Sequence, residues 1–351
     1  MGLPLSVYSF NPLQDSRWAD FVEIHTNASV FHTPSWLEAL RLTYGYEPVV
    51  FTTSPPQSRL VNGIAFCRIS SWLTGRRMVS LPFADHCDPL LDNDNASQEL
   101  IEFFRALING DSWKYIEIRP RNSTLLRPLS GKEKGNSFCF HVIDLDAPVE
   151  TLFNNLQKSS IQRSIRRAER EGVTREKGRS EAFLSKFYGL MLKTRRRHKL
   201  PPQPISWFRN LIACLGERLT IRLASKNGEP IASILTLSYR GTLIYKYGCS
   251  DERHHNLGPV PFLFWDAILE AKENGLHEFD LGRSDLTNPG LIAFKTRLGA
   301  KASTLEYVRF SAAQSAPAVE DRRVHMAKRL FSCMPDGLLT RAGKLLYRHI
   351  A

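Results

Sequence analysis

Residues able to do chemistry are concentrated between Tyr245 and Ala300 of this 351-residue chain. The stretch carries Tyr-Lys-Tyr-Gly (245–248), Arg-His-His-Asn-Leu-Gly-Pro (253–259), Phe-Asp-Leu-Gly-Arg-Ser (279–284) and Phe-Lys-Thr-Arg-Leu-Gly-Ala (294–300). In order, the pattern reads strand, glycine-bearing loop, helix, strand, loop and short helix. A loop that brings backbone N–H groups to a helix N-terminus suits a phosphate, or an oxygen gaining negative charge. Asp280 falls at a strand end ahead of Gly282, where polar side chains commonly reach a cleft. Lys295 lies among Ile292, Phe294 and Leu298, which the pattern places in the interior. A lysine anchored by apolar neighbours can aim its ammonium at one place. Tyr245 and Tyr247 stand at i and i+2, hence on one strand face, where they line a cleft or pack.

A second set is cationic. The chain has 47 Lys+Arg against 35 Asp+Glu, a net charge of +12. Between Lys158 and Lys199 there are 14 Lys+Arg and 4 Glu, or +10; Glu320–Ala351 has 7 against 3, or +4, so the remainder stands at −2. Leu152, Phe153, Leu156, Ile161, Ile165 and Ala168 fit one apolar helix face. Arg163, Arg166, Arg167 and Arg170 occupy the other side until Gly172. Arg195, Arg196 and Arg197 close a second helical pattern before Pro201 and Pro202. Cations in a last turn complement the helix dipole. For a whole cluster, self-repulsion favours an anionic partner.

The scaffold that must hold these groups is globular. Apolar residues make up 42% and charged ones 23%, unlike a disordered or fibrous chain. No apolar run reaches the ~18 residues of a membrane span, and the first residues lack the pattern of a secretory leader. The six cysteines are scattered without a C-x-x-C pair, which speaks against a disulfide framework or zinc ribbon and for a reducing cytosol. Thr33 can cap a helix opened by Pro34. Strand-like runs cover 48–53, 63–69, 79–82, 114–119 and 138–145, with a helix over 99–109. The second half predicts a helix over 205–215 and a hairpin turning at Asn227-Gly228. It continues with a strand over 242–247, a helix over 262–274, and strands over 277–281 and 304–310. The fold class expected is α/β with mixed α+β sheets: a domain over 1–150, a second over 151–311, and a basic amphipathic helical tail over 312–351.

This arrangement resembles the FemAB-like branch of the GNAT acyltransferase superfamily. The residues that carry the resemblance are the Leu263–Ile268 helix with Trp265, the strand end Phe279–Gly282, and the Gly290, Phe294, Lys295, Gly299, Ala300 closure. Thr194–His198 with Leu200–Pro204, and Ile165–Ala168 with Gly172-Val173, resemble segments of members tied to cell-envelope and exopolysaccharide loci. The resemblance spans roughly 30–310. It implies tandem GNAT-like domains joined by a basic helical connection, which transfer an acyl or aminoacyl group to an amine. Implied partners are an anionic acyl donor and an amine-bearing envelope precursor. No tightly bound cofactor is implied; the donor is acyl-CoA, acyl-carrier protein or aminoacyl-tRNA. Where a GNAT enzyme carries its glycine-rich pyrophosphate loop, this chain reads Asn256-Leu257-Gly258-Pro259-Val260-Pro261. Two prolines remove two N–H donors; FemAB-like enzymes share this degeneracy, so the resemblance implies an aminoacyl-tRNA or carrier-bound donor over free acyl-CoA.

Aminolysis requires a deprotonated amine, a stabilised oxyanion and alignment of the two reactants. Lys295 is the candidate for charge stabilisation, an effect worth roughly 3–4 kcal/mol. Asp280 is the candidate base or orienting group, or else a cap on the turn that follows. Arg283, Tyr245, Tyr247, Arg163, Arg167, Arg195 and Arg196 are substrate-binding candidates, and Asn256 with Gly258 a donor-phosphate loop. Asp85-His86-Cys87-Asp88 offers ligand types without a second matching pair, and no metal is expected there. The tail either lies on an anionic membrane at the inner face of the cell or docks on the body. The alternative function is RNA binding by 158–199 without catalysis. Residues 158–179 contain no aromatic residue on which bases could stack, and no DNA-binding motif appears.

Overall fold

The structure, a computed structural model, describes residues 7–72, 74–91, 94–110, 113–122, 126, 134–311 and 336–349. In chain order the elements begin with β1 (Tyr8–Phe10), α1 (Ser16–Ile24), α2 (Pro34–Tyr44), β2 (Glu47–Thr52), β3 (Ile64–Ser71), β4 (Gly75–Ser80), α3 (Asp94–Gly110), β5 (Tyr115–Ile118) and β6 (Lys134–Asp144). They continue with α4 (Val149–Asn155), α5 (Arg163–Arg170), β7 (Thr174–Gly178), α6 (Glu181–Arg197), α7 (Ile205–Leu215), β8 (Leu219–Lys226) and β9 (Glu229–Tyr239). The last are β10 (Thr242–Ser250), α8 (Pro259–Glu273), β11 (Glu278–Asp285), α9 (Pro289–Arg297), β12 (Lys301–Phe310) and α10 (Asp336–Tyr347).

Two compact units result. The first is Met1–Phe138 with Thr304–Ala318 and Leu345–Ala351; the second is Cys139–Ser303 with Val319–Lys344. The division thus falls at 138/139 where a boundary at 150 is expected from sequence. Thr304–Phe310 groups with the first unit because β12 pairs with β5, Val308 opposite Ile118.

In the first unit the strands run β1-β2-β3-β4-β5-β12. β1 to β4 pair antiparallel, with α1 and α2 between β1 and β2 and a short turn between β3 and β4, and the α3 crossover makes β4 and β5 parallel. Phe51, Phe66 and Phe104 pack edge-to-face in the core beneath α3, with ring centroids 5.2–5.9 Å apart. Thr33 caps α2 as its sequence suggests, its hydroxyl accepting from the Trp36 N–H at 3.3 Å. Asp85–Asp88 is used within this unit. The His32 ring stands 2.8 Å from the Asp88 carbonyl and 3.2 Å from the Cys87 sulfur. Burial pushes His32 down to about 4 and the Cys87 thiol up.

In the second unit the order is β6-β11-β10-β9-β8-β7. The β8–β9 hairpin turns on Asn227 (φ 53°) and Gly228 (φ 79°), both left-handed as a two-residue turn of this hand requires. The α8 crossover makes β10 and β11 parallel. Phe262, Leu263, Phe264, Ile268 and Phe279 form the core between α8 and the sheet.

Two local outcomes differ from the sequence pattern. The basic segment is not one helix: α4 ends at Asn155, Leu156 is extended (ψ 135°), and a π-turn over Lys158–Gln162 leads into α5. The buried Gln162 amide donates to the Phe153 and Leu156 carbonyls, satisfying acceptors at the end of α4. β7, Thr-Arg-Glu-Lys-Gly, is a polar strand, charged at its three central residues and exposed except at Gly178, that pairs with β8 at one end of the order. Among the tail residues singled out above, those from 312 to 335 lie outside the described residues; α10 follows. Among the described residues no helix is long and apolar enough to cross a membrane.

Candidate functional site

The geometry starts where two parallel strands part. β10 and β11 pair from Thr242–Glu278 to Ile244–Asp280, and among the described residues the pairing stops there. The next residues of β10 carry a bulge: Tyr245 opposes Thr236, Tyr247 opposes Leu235, and Lys246 is the extra residue. Consecutive partners mean opposite faces, so Tyr245 and Tyr247 do not share the face that i, i+2 spacing predicts. Tyr245 packs on Phe264 of α8, centroids 4.9 Å apart, with its hydroxyl over Gly248, where a Cβ would strike it. Tyr247 turns to α7; its hydroxyl accepts from Trp207 Nε1 at 2.8 Å and its ring meets Phe208 at 5.1 Å. Tyr245 therefore belongs to the opened region and Tyr247 to the packing behind it.

Asp280 and Lys295 act on one bend of β11. Asp280, 1% exposed, accepts the Gly282 N–H at 2.6 Å, and Gly282 has φ +71°. Lys295 comes from α9, where Asn288 caps the first turn and Pro289 opens it. Its ammonium, in a residue 2% exposed, donates to the Gly282 carbonyl at 3.0 Å and the Arg283 carbonyl at 2.9 Å. Lys295 is itself the buried residue beside Leu298, while Ile292 and Phe294 are half-buried. A desolvated ammonium needs such acceptors. The two side chains hold the strand from its N–H and C=O sides just past the parting. Arg283 contributes its carbonyl, and its side chain is half-buried.

Sequence reasoning passed over His141. It is fully buried on β6, its Nε2 3.2 Å from the Thr296 hydroxyl of α9. Burial, then the Lys295 charge, holds its pKa below the usual imidazole value. The signal was faint, one histidine inside an apolar strand.

At the far end of β10, α6 clamps the chain. The Thr194 hydroxyl accepts the Ser250 N–H at 2.9 Å and donates to the Ser250 carbonyl at 3.1 Å. Arg197 donates toward the same carbonyl at 3.4 Å and stands 3.4 Å from His255 Nε2, which lies 2.8 Å from the Ser250 hydroxyl. Arg195 instead donates to the Gln203 side chain at 3.0 Å, and Arg196 is exposed. Lys193 meets Asp251 at 2.8 Å and Arg253 meets it at 2.6 Å. These hydrogen bonds, Arg253 first, hold the Asp251 carboxyl well below the usual carboxylate range. Among the described residues Glu229, Asp251 and His254 form one cluster of metal-ligand types. Its central carboxylate already carries two cations, which a metal would have to displace.

The 3-10 turn Glu252–Leu257 then delivers Gly258, in left-handed geometry (φ +71°), to the N-terminus of α8. A Cβ on Gly258 would stand 2.5 Å from the Ser164 carbonyl, so α5 lies directly against this loop. Asn256 is exposed. The Gly258 N–H bonds to the His255 carbonyl, the Phe262 N–H to the Gly258 carbonyl, and two residues are prolines, which leaves the Val260 N–H. Anion binding here would fall mainly on side chains. Arg163 is exposed beside Ser164, and half-buried Arg167 has a buried Nε with no hydrogen-bond partner.

This parted strand pair, its bulge and the following loop and helix lie within residues 156–295, which match the family model of the acetyltransferase (GNAT) domain. The likeness to the acetyltransferase (GNAT) domain thus covers this segment of the second unit. No curated protein matches it in sequence. Among solved structures it is similar to FemX, at TM-score 0.66 and 16% identity over 86% of this chain and 97% of that one. It is also similar to a tandem GNAT protein from the clavulanic acid biosynthesis pathway, at TM-score 0.56 and 10% identity over 88% and 99%. A third is the C-terminal domain of a putative lysylphosphatidylglycerol synthetase from Agrobacterium fabrum, at 0.52 and 15% over 74% and 85%. At these identities the likeness is one of fold: a mixed α/β fold shared with tandem GNAT proteins.

Proposed function

We propose that this protein joins an activated acyl or aminoacyl group to an amine. The amine nitrogen forms a bond to the donor carbonyl carbon, the carbon–oxygen or carbon–sulfur bond of the donor breaks, and the amine proton passes to solvent or a nearby base. The observation that carries this reading is the parting of β10 and β11 beyond Ile244 and Asp280, inside the segment that matches the acetyltransferase domain. Strands that part leave backbone donors and acceptors that an extended ligand can pair with.

In this reading Asp280 and Lys295 position the β11 bend whose backbone faces the donor carbonyl, and Lys295 adds positive charge nearby. Tyr245 lines the opening. Arg163 and Arg167, with Arg283, hold the anionic part of the donor, while Arg195, Arg196, Asn256 and Gly258 shape the surrounding wall. Few backbone donors at the α8 N-terminus and many arginines on α5 favour a polyanionic donor, aminoacyl-tRNA or a carrier protein, over free acyl-CoA. The acceptor is an amine-bearing precursor of the cell envelope or exopolysaccharide, met in the cytoplasm or at the inner face of the membrane. The resemblance to FemX and to a lysylphosphatidylglycerol synthetase domain supports that placement.

The test offers the purified protein acyl-CoA, acyl-carrier protein and charged tRNA in parallel with envelope-precursor amines, with products read by mass spectrometry. An amide product from any donor supports the reading, and tRNA or carrier protein is expected to outpace acyl-CoA. Tight RNA binding with no product from any donor would favour the RNA-binding alternative, for which the arginines of α5 also speak.

A further inference from the structure

The first unit holds a cationic cavity that the transfer reading does not use. It has a volume of about 240 Å³. Three guanidinium groups line it: Arg68 from β3, Arg76 from β4, and Arg348 from the end of the chain. Arg76 lies over the Trp113 ring at 4.6 Å, which fixes its plane. Arg68 and Arg348 make no hydrogen bond or ion pair with a described residue. Glu47 is the one acid among the lining residues, and the Ser70 hydroxyl adds a donor. Three like charges against one carboxylate repel each other unless an anion joins them.

Arg348 is held in place by its neighbours. The Tyr46 hydroxyl donates to the Tyr347 carbonyl at 2.7 Å. The His349 carbonyl accepts from the Thr74 hydroxyl at 2.8 Å and from the buried Arg77 at 2.7 Å, and the His349 ring meets the Ser71 hydroxyl at 3.0 Å. The two residues that flank Arg348 are thus latched to the first unit through their backbone, and this presents the guanidinium to the cavity.

We propose that this cavity binds a phosphate-bearing ligand through Arg68, Arg76 and Arg348, and that binding strengthens the docking of Leu345–His349. A phosphate has enough oxygens to meet three guanidiniums at once, and arginine binds it bidentately. Two sources share this chemistry: a soluble pyrophosphate-bearing compound and the headgroup of an anionic phospholipid.

The experiment measures hydrogen exchange of the 345–349 segment in the full chain, with inorganic pyrophosphate and separately with phosphatidylglycerol or phosphatidylcholine vesicles. Pyrophosphate is expected to slow exchange there several-fold, and Arg68→Glu to abolish the protection and weaken binding tenfold or more. Arg68→Lys should restore part of it. Ser70→Glu, at an exposed position, serves as a second blocking variant if the first unfolds. Protection by phosphatidylglycerol but not by phosphatidylcholine or pyrophosphate would assign the site to a headgroup. No protection by any of them, or equal protection in Arg68→Glu and Ser70→Glu, overturns the proposal. Reading exchange at this segment separates the cavity from phosphate binding at the arginines of α5.

Discussion

α5 and the last turn of α6 are both dense in arginine, yet they use it differently. On α6 the cations are engaged: Lys193 with Asp251, Arg195 with Gln203, Arg197 at the Ser250 carbonyl. On α5 they are not. Among the described residues Arg163 meets no hydrogen-bond partner and the buried Arg167 Nε meets none either, while Arg166 rests on the Phe153 ring. Among the described residues Arg170 reaches only its neighbour Glu171, at 3.8 Å. Equal charge density therefore marks a clamp in one place and an open cationic surface in the other. Lys295 is the extreme of the first kind, a buried cation that donates to two backbone carbonyls.

That contrast can be broken in order of expected effect. Lys295→Ala strands the buried Gly282 carbonyl and the partly buried Arg283 carbonyl and should cost roughly 2–5 kcal/mol, read by chemical denaturation, with transfer lost as well. If the variant were as stable as the wild type yet inactive, the lysine would act on the reactants and not on the strand. Thr194→Ala removes both hydrogen bonds to Ser250, and a loss of about 1–3 kcal/mol is expected. The double change Arg163→Ala with Arg167→Ala should act oppositely. Stability stays within about 0.5 kcal/mol, while donor affinity falls about tenfold and its salt dependence flattens. A drop in melting temperature matching that of Thr194→Ala would erase the distinction between the two segments.

The smallest effect is a pH dependence of the clamp. Partial burial, then the Arg197 charge, lowers the His255 pKa below the ordinary imidazole value. The unfolded chain therefore takes up the proton first. The contribution of His255 is complete above about pH 6.5 and is lost as pH falls through the lower folded value. His255→Gln should flatten that part of the melting-temperature profile.

Much of the scaffold was legible before folding. Helix 205–215 carries an apolar stripe between Pro204 and Gly216, and its predicted and observed ends coincide. Asn227-Gly228 marked the hairpin because few other pairs tolerate two left-handed residues in succession. Thr33 and Pro34 announced α2 for equally local reasons. β7 was illegible: its residues are three charged ones between a threonine and a glycine, so neither alternation nor apolar run exists, and only pairing with β8 makes it a strand. The interruption between α4 and α5 escaped as well, because the buried Gln162 amide that satisfies the α4 carbonyls works through its surroundings.

The candidate site divides along the same line. Sequence alone determined which residue types stand between Tyr245 and Ala300, where the charge gathers, and that two prolines thin the backbone donors in the first turn of α8. These are properties of composition and local spacing, which the chain carries in any conformation. Only the tertiary structure decided that a bulge sends Tyr245 and Tyr247 to opposite faces and that Lys295 grips β11. It alone sets Gly258 against Ser164 and brings Arg348 to Arg68 and Arg76. Each of these depends on which distant backbone groups are left to be satisfied once the strands have paired, and no local pattern records that.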